Sequence, residues 1–176
     1  MNALPNFQRA FPLPLSRSAC VAVGVFSAVL ALPASDAWAK LPYEYAAKVV
    51  CGMQESKKNP GVTTGIYVTT INVRNPGVEN SMIIKYFVPT LPPGKQRPSH
   101  PIQMSQESVP PNSAFATDCH DIGERAKINL PFWEGFLVIE SQSSLDVVGV
   151  YTSATIGNAQ SGIEVVHVPE RSVRDR

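Results

Sequence analysis

The chain has 176 residues, 15 basic and 14 acidic side chains, and a formal net charge of +1. That balance carries no basic stripe, so a nucleic-acid partner is not expected. The length suits one domain with a core of its own.

The N-terminus has the three parts of a secretory signal. Arg9 and Arg17 precede an almost wholly apolar run from Ser18 to Leu32; Pro33 breaks it, and Ala37-Trp38-Ala39 is a small-x-small cleavage site. The run is about 15 residues, short of the roughly 20 that a helix needs to cross a bilayer. Residues 1–39 are therefore expected to be a signal peptide cleaved near Ala39, leaving no transmembrane segment and a periplasmic or secreted product. Roughly 140 residues remain, read as one domain over 40–170 and a polar, frayed tail over 171–176. They hold 13 basic and 13 acidic residues.

Two cysteines, Cys51 and Cys119, remain after cleavage. An oxidising compartment favours a disulfide between them; two separate buried thiols are the alternative.

The predicted elements are short strands divided by turn residues. Ala46 to Gly52 is the first, followed by a loop at Lys57-Lys58-Asn59-Pro60-Gly61. Gly65 to Arg74 is rich in β-branched residues, with Tyr67, Thr69, Ile71 and Val73 on one face by period two. Asn75-Pro76-Gly77 ends it. Met82 to Val88 groups Met82, Ile84, Tyr86 and Val88 on one face.

Seven prolines between Pro89 and Pro111 argue for an extended loop with one edge strand over Ile102 to Val109. Ser113 to Asp118 is a short strand, and Cys119 to Ala126 suits a helical turn or two capped by Asp118. Phe136 to Ser141 and Leu145 to Thr152 are expected to pair as a hairpin through Gln142-Ser143-Ser144, with both faces covered and with Gly149 marking a bulge or a crowded contact. Glu140 and Asp146 are then its solvated ends. Thr155 to Gly162 is a turn of small residues before a final strand, Ile163 to Val168. About seven or eight strands and no long amphipathic helix predict an all-β, antiparallel β-sandwich, with a small β-barrel as the alternative.

Asp118-Cys119-His120-Asp121 is the richest chemical cluster, but adjacent residues cannot all converge on one ion. A metal site using His120 and Asp121 would need His100 or His167, and no C-x-x-C or H-E-x-x-H spacing is present. There is no G-x-S-x-G elbow, and an oxidised Cys119 cannot act as a nucleophile. No cofactor is expected. Phe132 and Trp133 concentrate aromatic area: exposed, they suit a sugar ring or a protein partner; buried, Trp133 plugs one end of the fold.

The run Tyr45-Ala46-Ala47-Lys48, Val50-Cys51-Gly52, Ile71-Asn72-Val73-Arg74-Asn75-Pro76, Asp118-Cys119 and Gly135 to Ser141, with Leu145-Asp146-Val147-Val148 and Val150-Tyr151-Thr152, resembles a family of uncharacterised exported bacterial β-sandwich proteins. The Val-Ile-Glu-Ser stretch alone is remotely similar to sensory rhodopsin transducers. These resemblances imply strand and turn positions and no site. The expectation is an exported, non-enzymatic binding or structural module with a protein or carbohydrate partner in the cell envelope. The rival is an extracytoplasmic hydrolase or metal-binding protein using His120 and nearby carboxylates.

Overall fold

In the computed structural model, nine strands and one short helix follow one another along the chain. Residues 40–55, 62–91, 94, 97–155 and 161–173 are described; the proposed signal peptide and the Lys57–Gly61 loop lie outside them. In chain order the elements are β1 (Tyr43–Gln54), β2 (Gly65–Arg74), β3 (Ser81–Thr90), β4 (Ile102–Val109), β5 (Ala114–Asp118), α1 (Cys119–Arg125), β6 (Phe132–Ser141), β7 (Asp146–Ala154), β8 (Ser161–His167) and β9 (Glu170–Ser172).

All ladders are antiparallel, in the order β4-β3-β6-β1-β2-β7-β8, with β5 on β2 and β9 on β1. The weak link in this path is β1 to β2. Those strands share only three pairs, Gly52↔Tyr67, Met53↔Ile66 and Gln54↔Gly65. There the sheet folds over into two layers, β4-β3-β6-β1 with β9, and β5-β2-β7-β8. Gly52 marks the bend, with a φ of +97° and a Cβ position only 2.1 Å from the Pro131 carbonyl oxygen. A side chain there would meet both steric strain and backbone. The expected sandwich is present, and the sheet is not closed into a barrel.

The core between the layers takes Tyr45, Ala47, Val49 and Cys51 from β1, Ile83 and Phe87 from β3, and Leu137 and Ile139 from β6. From the other side come Ile71, Val73 and Val147, with Ile122 of α1 beneath. Several contacts join the layers directly. Cys51 and Cys119 form a disulfide with Cα atoms 5.7 Å apart. The Tyr45 hydroxyl accepts from the Leu145 amide at 2.7 Å. Lys85 of β3 reaches Thr117 of β5 at 3.4 Å. α1 opens with a capping box in which Asp118 and Asp121 each accept the other's backbone N–H, as the polar residues around Cys119 suggest.

The sequence expectation fails at the β6–β7 connection. These strands do not form a hairpin: β6 lies between β3 and β1, while β7 lies between β2 and β8. Gln142-Ser143-Ser144 crosses from one layer to the other. Two neighbouring apolar strands pair in sequence or across a sandwich with the same side-chain pattern, so the pattern could not decide. Gly149 does mark a crowded contact: a Cβ there would lie 3.0 Å from the Tyr151 ring.

The first residues of the tail also depart from expectation, while 174–176 lie outside the described residues. Glu170–Ser172 pairs with Tyr43–Tyr45 as β9, and the Val173 amide donates to the Pro42 carbonyl at 2.9 Å. The free edge of β1 and the acceptor Glu170 for the Tyr45 hydroxyl hold this segment, although its charged residues carry no strand signal. With β9, the strand count is nine among the described residues.

Candidate functional site

The outward face of the β3-β6-β1 layer carries a groove of about 600 Å³. Its residues arise from the registers of the three strands. Ala46 of β1 faces Val138 of β6, and Val138 faces Tyr86 of β3. Two residues further along each strand, Lys48 faces Phe136 and Phe136 faces Val88. Side chains two apart in a strand share a face, so Ala46, Tyr86, Val88, Phe136 and Val138 form one continuous apolar floor, with Pro101 at its border.

This floor corrects the reading of β6 as a strand covered on both sides. Leu137 and Ile139 are buried in the core, whereas Phe136 is 38% exposed on the groove. It also completes the reading of β3. Met82, Ile84, Tyr86 and Val88 do share a face, but that face is the outward one. Ser81, Ile83, Lys85 and Phe87 point inward.

Charged rows bound the floor at both ends. At one, Lys48 Nζ lies 2.7 Å from a Glu134 carboxylate oxygen and 5.3 Å from the Phe136 ring centre. At the other, Arg171, Glu44, Glu140 and Ile84 stand in one row across β9, β1, β6 and β3. Glu44 and Glu140 are thus directly opposite each other, and like charges in that position repel. Both residues are more than nine-tenths buried. Arg171 Nη1 approaches Glu44 Oε1 at 3.9 Å. Glu140 has no hydrogen bond or ion pair among the described residues; its charge acts on Tyr86, whose phenol is pushed up first by burial and then by this carboxylate. The expectation of a solvated Glu140 is therefore overturned: neighbouring strands cover both its flanks. Asp146, its expected counterpart, is half exposed and pairs with Arg74 at 3.1 Å.

The residues singled out from the sequence lie elsewhere. Cys51 and Cys119 are the two halves of the disulfide. His120 sits exposed on α1, and Asp121 is engaged in the capping box. His100 precedes β4 and His167 ends β8. Among the described residues no three His, Cys, Asp or Glu side chains come together as metal ligands would. Phe132 and Trp133 are adjacent on β6, so they point to opposite faces. Phe132 meets Tyr67 edge-on at 6.0 Å, and Trp133 meets Phe87 edge-on at 5.2 Å while packing against the core. They do not form one stacking surface.

The fold and groove define an antiparallel β-sandwich with an apolar, acid-ended depression on one outer face. No family model matches the chain, and no curated protein matches it. Among solved structures it is similar to the crystal structure of Thermotoga maritima 1070, with a TM-score of 0.44 and 11% identity, over 74% of this chain and 95% of that one.

Proposed function

We propose that this chain is an exported, non-enzymatic binding module whose ligand site is the groove on β3, β6 and β1. The observation that carries this reading is the apolar floor itself. The outer face of a sandwich sheet is normally polar, and here five apolar side chains from three strands line a depression of about 600 Å³. That volume lies within the range of small-molecule sites, which are mostly apolar with a few polar groups at fixed positions. The scatter of His100 before β4, His120 on α1 and His167 at the end of β8 favours a binding role over the hydrolase or metal reading. Export rests on the N-terminal pattern and is supported by the disulfide. No described helix is long and apolar enough to cross a membrane. The resemblance to exported β-sandwich proteins belongs to the same proposal.

The test uses the full chain, expressed with its N-terminal segment and purified from the extracytoplasmic fraction. A neutral naphthylamine fluorophore should bind saturably, and Val138→Trp should abolish binding while leaving the circular dichroism spectrum unchanged. Non-saturable binding, or saturable binding that Val138→Trp leaves intact, would overturn the assignment of the site.

A further inference from the structure

We infer that the groove takes an organic ammonium ion: an apolar body on the floor and a protonated amine on the carboxylate of Glu140. The inference rests on the binding-module reading and adds the chemistry of the ligand. Glu140 is only 8% exposed, lines the groove and lacks a hydrogen bond or ion pair among the described residues. Whatever contact it keeps with water is through the groove. An apolar occupant would displace that water and strand a charged oxygen, which is costly unless the occupant supplies a partner. A carboxylate accepts and cannot donate, so the partner must bring N–H or O–H donors, and positive charge makes those bonds strongest.

The neighbouring cations do not fill this role. Lys48 is committed to Glu134 at 2.7 Å and to Thr90 at 3.3 Å. The Arg171 side chain is 53% exposed and stands nearest Glu44, at 3.9 Å. Lys40 lines the groove but is exposed, so water already solvates its charge. An anionic ligand would instead bring its charge toward the buried Glu140 carboxylate. Tyr86 and Phe136 also line the groove, and aromatic rings attract cations as well as alkyl groups.

The experiment compares hexylammonium, hexanol and hexanoate by ¹H–¹⁵N NMR titration of the full chain purified after export. Hexylammonium should bind about tenfold more tightly than hexanol, the effect of one charge-assisted hydrogen bond, and hexanoate should bind weakest. Glu140→Gln should reduce the preference for hexylammonium over hexanol to near unity, with hexanol affinity retained as evidence of an intact groove. Equal affinity for the three, tighter binding of hexanoate, or an ammonium preference that survives Glu140→Gln would overturn the inference. If hexanol still binds and Val138→Trp removes it, the groove assignment stands and only the ammonium is lost. If none of the three binds, both fall.

Discussion

Tyr45 shows how one side chain can tie three parts of this fold together. Its ring is 1% exposed; its hydroxyl donates to Glu170 of β9 and accepts from the Leu145 amide beside β7. Burial, and then the hydrogen bond to Glu170, push the phenol up from 10.0 to about 12. The unfolded chain therefore loses this proton first as pH rises. The contribution is complete below pH 10 and declines as pH passes from about 10 through about 12, by on the order of 2 kcal/mol. Tyr45→Phe should cost about 1–3 kcal/mol at neutral pH, because it leaves buried partners unsatisfied, and should flatten this alkaline decline. Denaturant titrations at pH 8 and 11 on both proteins would measure the two effects. Equal alkaline loss in the variant would assign it to another group.

Lys85 gives a second residue-scale prediction. Its side chain is 7% exposed on the core face of β3 and lies 2.6 Å from Glu107, whose side chain is 41% exposed. The Phe115 ring is 4.6 Å from the ammonium. Burial pushes the Glu107 carboxyl up, but hydrogen bonds from Lys85 and Ser105 outweigh it and hold the group below its ordinary value. This contribution is therefore present above the ordinary carboxylate range and lost as pH falls through the depressed value. The two halves of the pair should respond unequally. Glu107→Gln leaves a buried ammonium without its counter-charge and should cost roughly 2–3 kcal/mol, below the fully buried figure because Glu107 reaches solvent. Lys85→Met keeps the volume and removes the charge, and should stay within about 1 kcal/mol of the parent. Chemical denaturation of both variants reads the difference, and equal costs would contradict the asymmetry.

At the scale of elements, legibility followed the number of partners each pattern implies. The bounds of β2 are legible because Tyr67, Thr69, Ile71 and Val73 alternate strictly and Asn75 closes the strand. Asn75 is fully buried, and its amide donates to the Glu79 and Val109 carbonyls at 2.8 and 2.9 Å. β4 was equally clear from its proline-rich flank. β6 misled, because Phe136 to Ile139 are consecutive apolar residues. Such a run reads as a strand covered on both faces, while an outward groove with an apolar floor leaves the same trace in sequence. Glu140 reads in sequence as a solvated hairpin end because only the pairing of β6 between β1 and β3 buries it. β9 was invisible, since Glu-Arg-Ser has no strand character and is held by partners more than 120 residues away, such as Tyr45. Gly135 carries no signal in sequence either: it pairs with Pro89, and the Phe87 ring packs over it, 2.5 Å from where a Cβ would lie.

Across the whole molecule, the Cys51–Cys119 bond spans a sequence separation of 68 and fastens β1 of one layer to the helix that follows β5 of the other. A loop of that size implies a stabilisation of about 4 kcal/mol in the chain-entropy model, a large share of a small domain's total. The double variant Cys51→Ala/Cys119→Ala should lower the unfolding free energy by about that amount with little change in the folded spectrum. A loss below about 1 kcal/mol would mean that packing and the hydrogen bonds between the layers hold them without the disulfide.

The hydrogen bond between Val173 and Pro42 brings the two ends of the folded segment side by side, and Lys40 and Arg171 both border the groove. An affinity tag or a fusion partner at either end would therefore hang over the groove's mouth and compete with whatever enters it. The same adjacency offers a remedy. A short peptide bridge between the ends would permit circular permutation, with the new termini opened between β7 and β8, two strands of the opposite layer. A permuted protein of this kind could be immobilised with the groove facing solution.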